Sequence, residues 1–368
     1  MPFIPTKYNP PDFSTPPLSE APFATFRKVT EDGVLPVDYH ATSVYPEYFH
    51  LEKAGWRLLE HSRMDCGVVL GKDGSLQAKE FRHIEKGNLV ACGRRENGED
   101  GIFVHANGFE PLEQSHDKFS FRTHVSRETS FSVDYDELYN LLNYERENGF
   151  ILWVLGPAVA FDRDAREAMV RLIDNGFAHG LLAGNGLAVH DLEGALYGTA
   201  LGREIYSKHP APLGHYNHLD TINRINAAGS IKDAVRKELV QEGIMHAATK
   251  RSIPYVLAGS IRDDGPLPDV IGDVYLAQDK MRSLAQRATT VIALATQLHA
   301  IATGNMTPSY QVTEDGHVRP VYFYTVDMSE FVINKLANRG SLTARTILTN
   351  VQDFVVTLAH GLQQRQGC

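Results

Sequence analysis

The sequence predicts an α/β protein in which a Rossmann-like doubly wound parallel sheet follows a smaller, mostly β domain. From about residue 145, short apolar runs alternate with stretches of helical periodicity. Residues 23–130 instead contain short runs separated by turn sequences. Residues 1–22 hold seven of the 18 prolines, which fit poorly into helix interiors and central strands. We therefore expect a flexible, polyproline-like arm at 1–22, a β domain for substrate binding or oligomerisation at 23–130, and a Rossmann-like domain at 131–368.

The β domain is expected to be built from hairpins. The runs around "KDG" (72–74) are separated by turn residues, and the runs around "ENGEDG" (96–101) repeat the arrangement. The stretch "PEYFHLEKAGWRLLEHSR" (46–63) is a candidate for a short helix. In the second half of the chain, "QVTEDGHVRP" (311–320) predicts another hairpin.

The parallel sheet is predicted from apolar runs that are each followed by a helix candidate. These runs are "FILWVL" (150–155), "GLLAG" (180–184), "YVLAGS" (255–260), "TVIALA" (290–295), "VYFYTVD" (321–327) and "TILTN" (346–350). Strands that are apolar throughout are covered on both faces, as in a doubly wound sheet with right-handed crossovers. Ligands bind such sheets at the carboxyl ends of the strands. The residues that follow each run are therefore the candidate site.

Composition argues against several classes of partner. The chain has 368 residues, a formal charge of −9 and no block of lysine and arginine, so nucleic acid is not expected. We see neither a signal segment nor an apolar run of membrane-spanning length. The three cysteines suggest neither a disulfide framework nor a metal site. We expect a cytoplasmic protein that binds a small molecule, without a metal, and that forms a homo-oligomer (a dimer or tetramer).

The stretch "LLAGNGLAVHD" (181–191) reads as a strand, a glycine turn and the start of a helix. Val189 stands where the G-x-G-x-x-G fingerprint of dinucleotide sites has its third glycine. The stretch alone is compatible with a nucleotide site or with a simple tight turn. In the first case Asn185 and Gly186 face the ligand, while His190 and Asp191 reach the substrate side.

Two other strand ends carry residues suited to a dinucleotide. Asp327 ends an apolar strand, where a carboxylate can accept both hydroxyls of an adenosine ribose and favours NAD over NADP. The alternative is an N-cap for the following helix. Thr296 opens a helix whose free N–H groups suit a pyrophosphate, and it too could simply be a cap. His299 is by default a partly buried helix histidine.

Charged residues provide candidates for substrate chemistry. The polar loop "GSIRDDGPLPD" (259–269) places Arg262 and Asp264 at a strand end, where an arginine can bind a carboxylate and a carboxylate can bind an amine or relay a proton. In the β domain, "SRMDC" (62–66) places Arg63 and Asp65 close to Cys66. Arg63 and Asp65 are candidate substrate contacts if the two domains close over a cleft, whereas Cys66 is expected to be a small buried hydrophobe. His215 and His218 share a spacing used for metals, but no third ligand is evident nearby.

Much of the chain resembles a known family. Residues 150–353 are similar to the LOR/SDH conserved domain of archaeal-type ornithine cyclodeaminases and of the C-terminal half of bifunctional arginine dihydrolase/ornithine cyclodeaminases. The resemblance rests on long, unusual stretches, "LLAGNGLAVHDLEGALYGTALG", "INRINAAGSIKDAV", "GIMHAATKRSIPYVLAGSIRDDGPLPDVIGDVYLAQDKMR", "LATQLHAIATGNMTPSY" and "NKLANRGS". The region around "RMDC" and "GIFVHANGF" is more loosely similar to the family's N-terminal part.

The resemblance implies an NAD-containing enzyme that converts L-ornithine to L-proline and ammonia and recycles its NAD. It also implies NAD contacts at matching positions, nearly the same set that the strand ends indicate. These positions are Asn185, Gly186, Asp264, Thr296, Gln297, Leu298, His299, Asp327, Asn350 and Val351. For catalysis, charge and position suggest Arg63 or Arg262 for the substrate carboxylate, and Asp65 or Asp264 for proton transfer and amine binding.

The chain departs from the family at one strand end. Where the family often reads "GPAVVHTGG", this sequence has "GPAVAFDRD" (156–164). An NAD-dependent enzyme of the same family acting on another amino acid or diamino acid therefore remains an alternative. Further alternatives are a non-catalytic NAD-binding protein and, more distantly, an NAD-dependent aminoalkyl transferase.

Overall fold

The computed structural model describes residues 3–109, 132–263, 265–313, 315–328 and 343–366. The first part of the chain forms two small antiparallel sheets. The strands are β1 (Thr25–Lys28), β2 (Glu47–Leu51), β3 (Gly55–Leu58), β4 (Gly67–Leu70), β5 (Leu76–Lys79), β6 (Leu89–Cys92) and β7 (Ile102–Val104). One sheet has the order β1-β6-β4-β5 and the other has the order β3-β2-β7.

The first predicted hairpin is present, and the second is present only as a short one, in which Asn97 pairs antiparallel with Phe103 across the turn at 98–101. Strands β4 and β5 pair on either side of "KDG", with Gly67 opposite Lys79. Strands β6 and β7, on either side of "ENGEDG", do not pair: β6 pairs with β1 and β4, whereas β7 pairs with β2. The connection crosses from one sheet to the other because residues of both sheets, including Ala91 and Ile102, share one apolar core.

The short helix predicted within 46–63 is also wrong. This stretch forms the hairpin β2–β3, in which His50 lies opposite Trp56 and their rings stack at 4.9 Å. Gly55, at φ +66°, supplies the left-handed backbone that the turn requires. The aromatic residues of this stretch are stabilised by pairing across strands, which a helix would not allow.

Residues 3–22 pack against the chain itself instead of forming a free arm. Phe13 stacks on Trp56 with ring centroids 4.9 Å apart, and the Trp56 indole N–H donates to the Leu18 carbonyl at 3.3 Å. The Tyr8 side chain is buried, and its hydroxyl lies 2.8 Å from Nδ1 of His105. This segment is therefore attached to the β region by a few side chains, while most of its residues are at least partly exposed.

The second part of the chain contains a parallel sheet, as predicted; it has seven strands, one more than the six predicted runs. Its strands, with those of two short hairpins, are β8 (Ile151–Leu155), β9 (Gly180–Gly184), β10 (Thr199–Ala200), β11 (Arg203–Glu204), β12 (Tyr255–Ala258), β13 (Val270–Ile271), β14 (Thr290–Leu294), β15 (Tyr310–Val312), β16 (Val318–Pro320), β17 (Tyr322–Asp327) and β18 (Thr343–Leu348). The sheet order is β13-β12-β9-β8-β14-β17-β18. Without the short edge strand β13, this is the 3-2-1-4-5-6 order of Rossmann folds. The predicted hairpin at 311–320 is present as β15–β16.

Helices cover both faces of this sheet. They are α1 (Ser132–Asn148), α2 (Arg163–Asp174), α3 (Asn185–Tyr197), α4 (Gly214–Ala228), α5 (Ile231–Arg236), α6 (Ile244–Lys250), α7 (Val274–Ala285), α8 (Gln297–Met306) and α9 (Val351–Gln366). Alternate side chains of each strand enter two separate cores: Trp153 of β8 lies in one and Leu152 in the other. The helix predicted directly after β17 lies outside the described residues. Within the described ranges, every helix is too short or too polar to cross a bilayer.

Candidate active site

A cavity of about 740 Å³ opens at the carboxyl edge of the parallel sheet, in the size range of small-molecule sites. Its walls come from the ends of β8, β9, β12 and β14 and from α3 and α4. It thus lies at the point where the strand order reverses, between β8 and β14. The lining includes Gly156, Phe161, Asn185, Gly186, His190, His215, His218, Arg262, Asp263, Thr296 and His299.

The floor of the cavity depends on a close approach of two strand ends. The Gly156 N–H donates to the Leu294 carbonyl at 2.8 Å. A Cβ at position 156 would lie 2.0 Å from the carbonyl oxygen of Ala295, so only glycine fits. Ala295 itself has φ +46°, an uncommon conformation for a residue with a side chain. The backbone is therefore strained at Ala295, where β8 and β14 end beside the cavity.

Two helix N-termini reach the cavity without side-chain caps. Helix α3 starts directly after Gly184, and the N-cap Thr296 of α8 makes no capping hydrogen bond through its hydroxyl. Free N–H groups and the helix dipole make such ends favourable for anions. Thr296 thus occupies the N-cap position of α8 without capping the helix through its side chain, so its hydroxyl can bind a ligand.

The predicted cofactor residues fall into two groups. Asn185, Gly186, Thr296 and His299 line the cavity. The Asn185 side chain is buried, and its oxygen accepts the Leu267 N–H at 3.1 Å. Burial lowers the pKa of His299, against an opposing effect of the Asp263 charge, which favours the neutral form of the ring.

The second group stands at neighbouring strand ends of the same edge. Asp327 ends β17, while Asn350 and Val351 follow β18 and begin α9. The Asn350 side chain accepts the Gln352 N–H at 2.8 Å and so caps that helix. Gln297 is the exposed first residue of α8. Asp264 and the side chain of Leu298 lie outside the described residues.

Of the two arginines considered for the substrate carboxylate, only Arg262 lines the cavity, where it is exposed. Its loop is held by three local hydrogen bonds: from the Ser260 N–H to the Asp263 carboxylate at 2.8 Å, from the Arg262 N–H to the Ser260 hydroxyl at 3.1 Å, and from the Asp263 N–H to the Ser260 carbonyl at 3.0 Å. The guanidinium is therefore carried by an ordered turn.

Arg63 and Asp65 are placed elsewhere in the described structure. The buried Arg63 donates to Glu80 at 2.6 Å, and Glu80 also pairs with Arg282 of α7, which joins the β region to the Rossmann-like part. Asp65 is exposed, at φ +62°. Cys66, which follows Asp65, is buried, and burial raises the pKa of its thiol. Arg63 therefore forms part of a contact between the two regions, through Glu80.

A carboxylate that the sequence analysis did not single out lies behind two histidines of the cavity lining. Glu193, fully buried on α3, has one carboxylate oxygen 3.2 Å from Nδ1 of His190 and 3.8 Å from Nδ1 of His218. His218 thus approaches His190 on another helix, and not His215, its neighbour in sequence. The i,i+3 spacing of His190 and Glu193 was readable from the sequence. The arrival of His218 from α4 was not.

His190 and Asp191, both expected on the substrate side, are placed differently: His190 lines the cavity, and its position relative to a substrate stays a prediction. Asp191 faces the protein interior. It accepts the N–H groups of Ile244 and Met245 at 2.9 and 2.8 Å, and the Arg166 guanidinium at 2.7 Å. Asp191 therefore caps α6 and neutralises a buried arginine.

Replacing Asp191 by alanine is expected to lower the free energy of unfolding by about 3 kcal/mol, because two N–H groups at the start of α6 lose their acceptor and the buried Arg166 keeps only the exposed Glu242 as a partner. Urea denaturation measures the change. The matched control is Glu167→Ala, which breaks the exposed Arg163–Glu167 pair and should cost about 0.5 kcal/mol or less. Equal, small losses in both variants would contradict the structural role of Asp191.

The chain was compared with known proteins. Residues 138–358 match the family described as arginine dihydrolase ArgZ-like, C-terminal, Rossmann fold. An ornithine cyclodeaminase of Methanothermobacter thermautotrophicus is 37% identical over 95% of this chain and 81% of its own length. The crystal structure of a conserved LOR/SDH protein of Methanococcus maripaludis S2 superimposes with a TM-score of 0.83 at 34% identity, covering 94% of this chain and 99% of the other.

This chain is also similar to a protein whose structure was solved with bound ligands. The ternary complex of AgrE with ornithine and NAD⁺ gives a TM-score of 0.58 at 29% identity, over 95% of this chain and 47% of AgrE. The lower coverage of AgrE means that this chain corresponds to about half of that protein. The family match, the identity to the archaeal proteins and the shared architecture lead to one conclusion: the chain belongs to the ornithine cyclodeaminase family of enzymes, with the ArgZ-like C-terminal Rossmann fold.

Proposed function

We propose that the protein is an NAD-dependent ornithine cyclodeaminase that converts L-ornithine to L-proline and ammonia, with no net consumption of NAD. The observation that carries the proposal is the single cavity that combines two uncapped helix N-termini with imidazole, guanidinium and carboxylate groups. Relatives named for this activity, and the AgrE complex with ornithine and NAD⁺, support the choice of ligands.

The residues present fit the proposed cofactor. The uncapped starts of α3 and α8 offer N–H groups to a pyrophosphate, and the Thr296 hydroxyl can add a hydrogen bond. Beside Gly186, the space into which a Cβ would project is open except for Pro157 at 3.9 Å, which lets a ligand approach the backbone. Asp327 is the proposed acceptor for the ribose hydroxyls.

When bound, NAD supplies a hydride acceptor for Cα of the amino acid and a hydride donor for the cyclic imine. The chain's own groups bind and orient the substrate. Arg262 is proposed to bind the substrate carboxylate, since Arg63 is already paired with Glu80. The neutral ring of His299 and the apolar residues Phe161 and Leu155 help to keep water away from the reacting carbon.

One feature favours a second candidate function, the same chemistry on another diamino acid. Phe161 falls within the stretch in which this chain departs from the family, and its ring both lines the cavity and meets the His190 ring edge-on at 5.0 Å. A change of side chain at this position alters the size and polarity of the cavity. Ornithine should therefore be compared with diamino acids one carbon shorter and longer.

The proposed reaction is tested with L-ornithine that carries deuterium at Cα, supplied to the purified protein with a trace of NAD. We expect equal amounts of proline and ammonia, with the deuterium retained in proline, because the same hydride leaves and returns. No reduced nicotinamide should accumulate. Reduced nicotinamide that accumulates with another amino acid, together with an absence of proline, would contradict cyclodeamination.

A further inference from the structure

We propose that His190 is the proton shuttle of the reaction, which moves a proton from the δ-nitrogen of the substrate to the departing α-nitrogen, and that Glu193 is its positioning residue. This inference rests on the proposed function. Its basis is geometric: the His190 ring lines the cavity, its Nδ1 lies 3.2 Å from Glu193, and Glu193 is fully buried behind it.

Glu193 is fixed as an anion by the groups around it. The Thr199 hydroxyl donates to it at 2.8 Å, and the N–H groups of Leu201 and Gly202 donate at 3.2 and 3.1 Å. Burial opposes ionisation, but hydrogen bonds from His190, His218, Gly202 and Thr199 outweigh it and lower the pKa of Glu193 well below its usual range. The carboxylate therefore stays charged while the reaction proceeds.

A charged carboxylate sets the tautomer of His190. An ionised glutamate can only accept hydrogen bonds, so Nδ1 of His190 must carry its proton. This leaves Nε2 as the unprotonated ring nitrogen, able to take a proton from a molecule in the cavity. Glu193 orients the ring and stabilises the imidazolium that then forms, as carboxylates do for catalytic histidines elsewhere.

The position of the ring is fixed by its neighbours. It lies between the ring of Phe161 and that of His218, each with a centroid distance of 5.0 Å. Asn217 donates to the Thr199 hydroxyl at 3.0 Å and so supports the group that donates to Glu193. The His190 side chain as a whole is buried, which limits its contact with bulk water.

The proton transfer balances. When the δ-amine adds to the imine carbon, a C–N bond forms and the attacking nitrogen carries one proton too many. Nε2 of His190 removes that proton and donates it to the α-amino group. The Cα–Nα bond then breaks, ammonia leaves and the cyclic imine forms. The histidine returns to its starting state, so one residue serves as base and then as acid.

The same three side chains have a spacing that metals use, since ligand atoms of His190, Glu193 and His218 lie within 4.8 Å of one another. The hydrogen bonds argue for the proton-transfer role. Thr199 and Gly202 share one oxygen of Glu193, and Leu201 and His190 share the other. These donors would have to compete with a cation for the carboxylate.

The test compares the protein with its His190→Gln variant, and with His209→Gln as a control at an exposed histidine that does not line the cavity. We expect kcat for proline formation to fall about 10²–10⁴-fold in His190→Gln, the usual contribution of general acid–base catalysis. NAD affinity and the early transient of reduced nicotinamide should persist. His209→Gln should match the wild type.

Two further measurements separate the proton role from a structural one. Added imidazole should restore part of the activity of His190→Ala, since it replaces the missing proton carrier. In the NAD-free protein, long-range ¹H–¹⁵N NMR should find Nδ1 of His190 protonated, and Glu193→Gln should change that spectrum. Zinc titrated into this sample should leave the His190 signals unchanged.

Three results would overturn the inference. The first is wild-type activity in His190→Gln, and the second is a His190 ring that carries its proton on Nε2 and not on Nδ1. The third is tight zinc binding that shifts the NMR signals of both His190 and His218. A wild-type protein that makes no proline from ornithine instead refutes the proposed function. The two failures are thus distinguishable, because the NMR result does not depend on turnover.

Discussion

Replacing Asp327 by alanine is expected to weaken NAD binding by about 100-fold or more. Each hydrogen bond to a charged group is worth about 1.5–3 kcal/mol, so the loss of two ribose hydroxyl contacts amounts to about 3 kcal/mol or more. Asp327 stands at the end of β17, where it is half-buried and opposite Leu348 of β18. Isothermal titration calorimetry with NAD measures the affinity.

The same variant should also discriminate less between NAD and NADP, because the carboxylate no longer repels a 2′-phosphate. Glu147→Ala is the matched control: it removes one negative charge from an exposed side chain on α1 and should leave NAD affinity unchanged. Thermal unfolding checks that both variants are folded. If a folded Asp327→Ala protein binds NAD as the wild type does, the ribose role is wrong.

Replacing Gly186 by leucine is expected to separate stability from cofactor binding. Gly186 is the second residue of α3, and a Cβ there would meet only Pro157, at an ordinary contact distance of 3.9 Å. Leucine is a better helix former than glycine by about 0.8–1 kcal/mol, so the melting temperature should not fall. The larger side chain should occupy the cavity and lower NAD affinity about 10–100-fold, in line with an overpacking cost of about 1–3 kcal/mol.

Two further variants show whether the loss of NAD affinity depends on the size and position of the added side chain. Gly186→Ala adds a single methyl group and should give a smaller loss of affinity in a protein of equal or greater stability. Gly272→Leu, at an exposed glycine with open space around it, should bind NAD normally. Unchanged NAD affinity in Gly186→Leu would mean that the cofactor does not approach the start of α3.

The parallel sheet was predictable because its signal is local. Runs such as "FILWVL" and "TVIALA" are apolar throughout and are followed by helical periodicity, and each became a strand followed by a helix or a 3-10 turn. The rule that ligands lie at the carboxyl ends of strands then identified Asn185, Gly186 and Thr296, all of which line the cavity.

The errors arose where neighbours in sequence are not neighbours in space. Strands β6 and β7 flank a turn sequence, yet they join different sheets that share one core. The stretch 46–63 carries residues compatible with a helix, but His50 and Trp56 gain more by stacking across a hairpin. The prolines of residues 3–22 predict an extended chain, and the aromatic residues between them attach that chain to the β region.

The sequence by itself determined the α/β class, the strand ends that form the site and the family resemblance. Each of these depends on residues that are close together in the sequence. Only the tertiary structure decided which charged groups meet. It paired Arg63 with Glu80, turned Asp191 inward to cap α6, and brought His218 of α4 to the Glu193–His190 pair of α3. Periodicity and turn chemistry act over a few residues, whereas such contacts depend on how whole helices pack over the sheet.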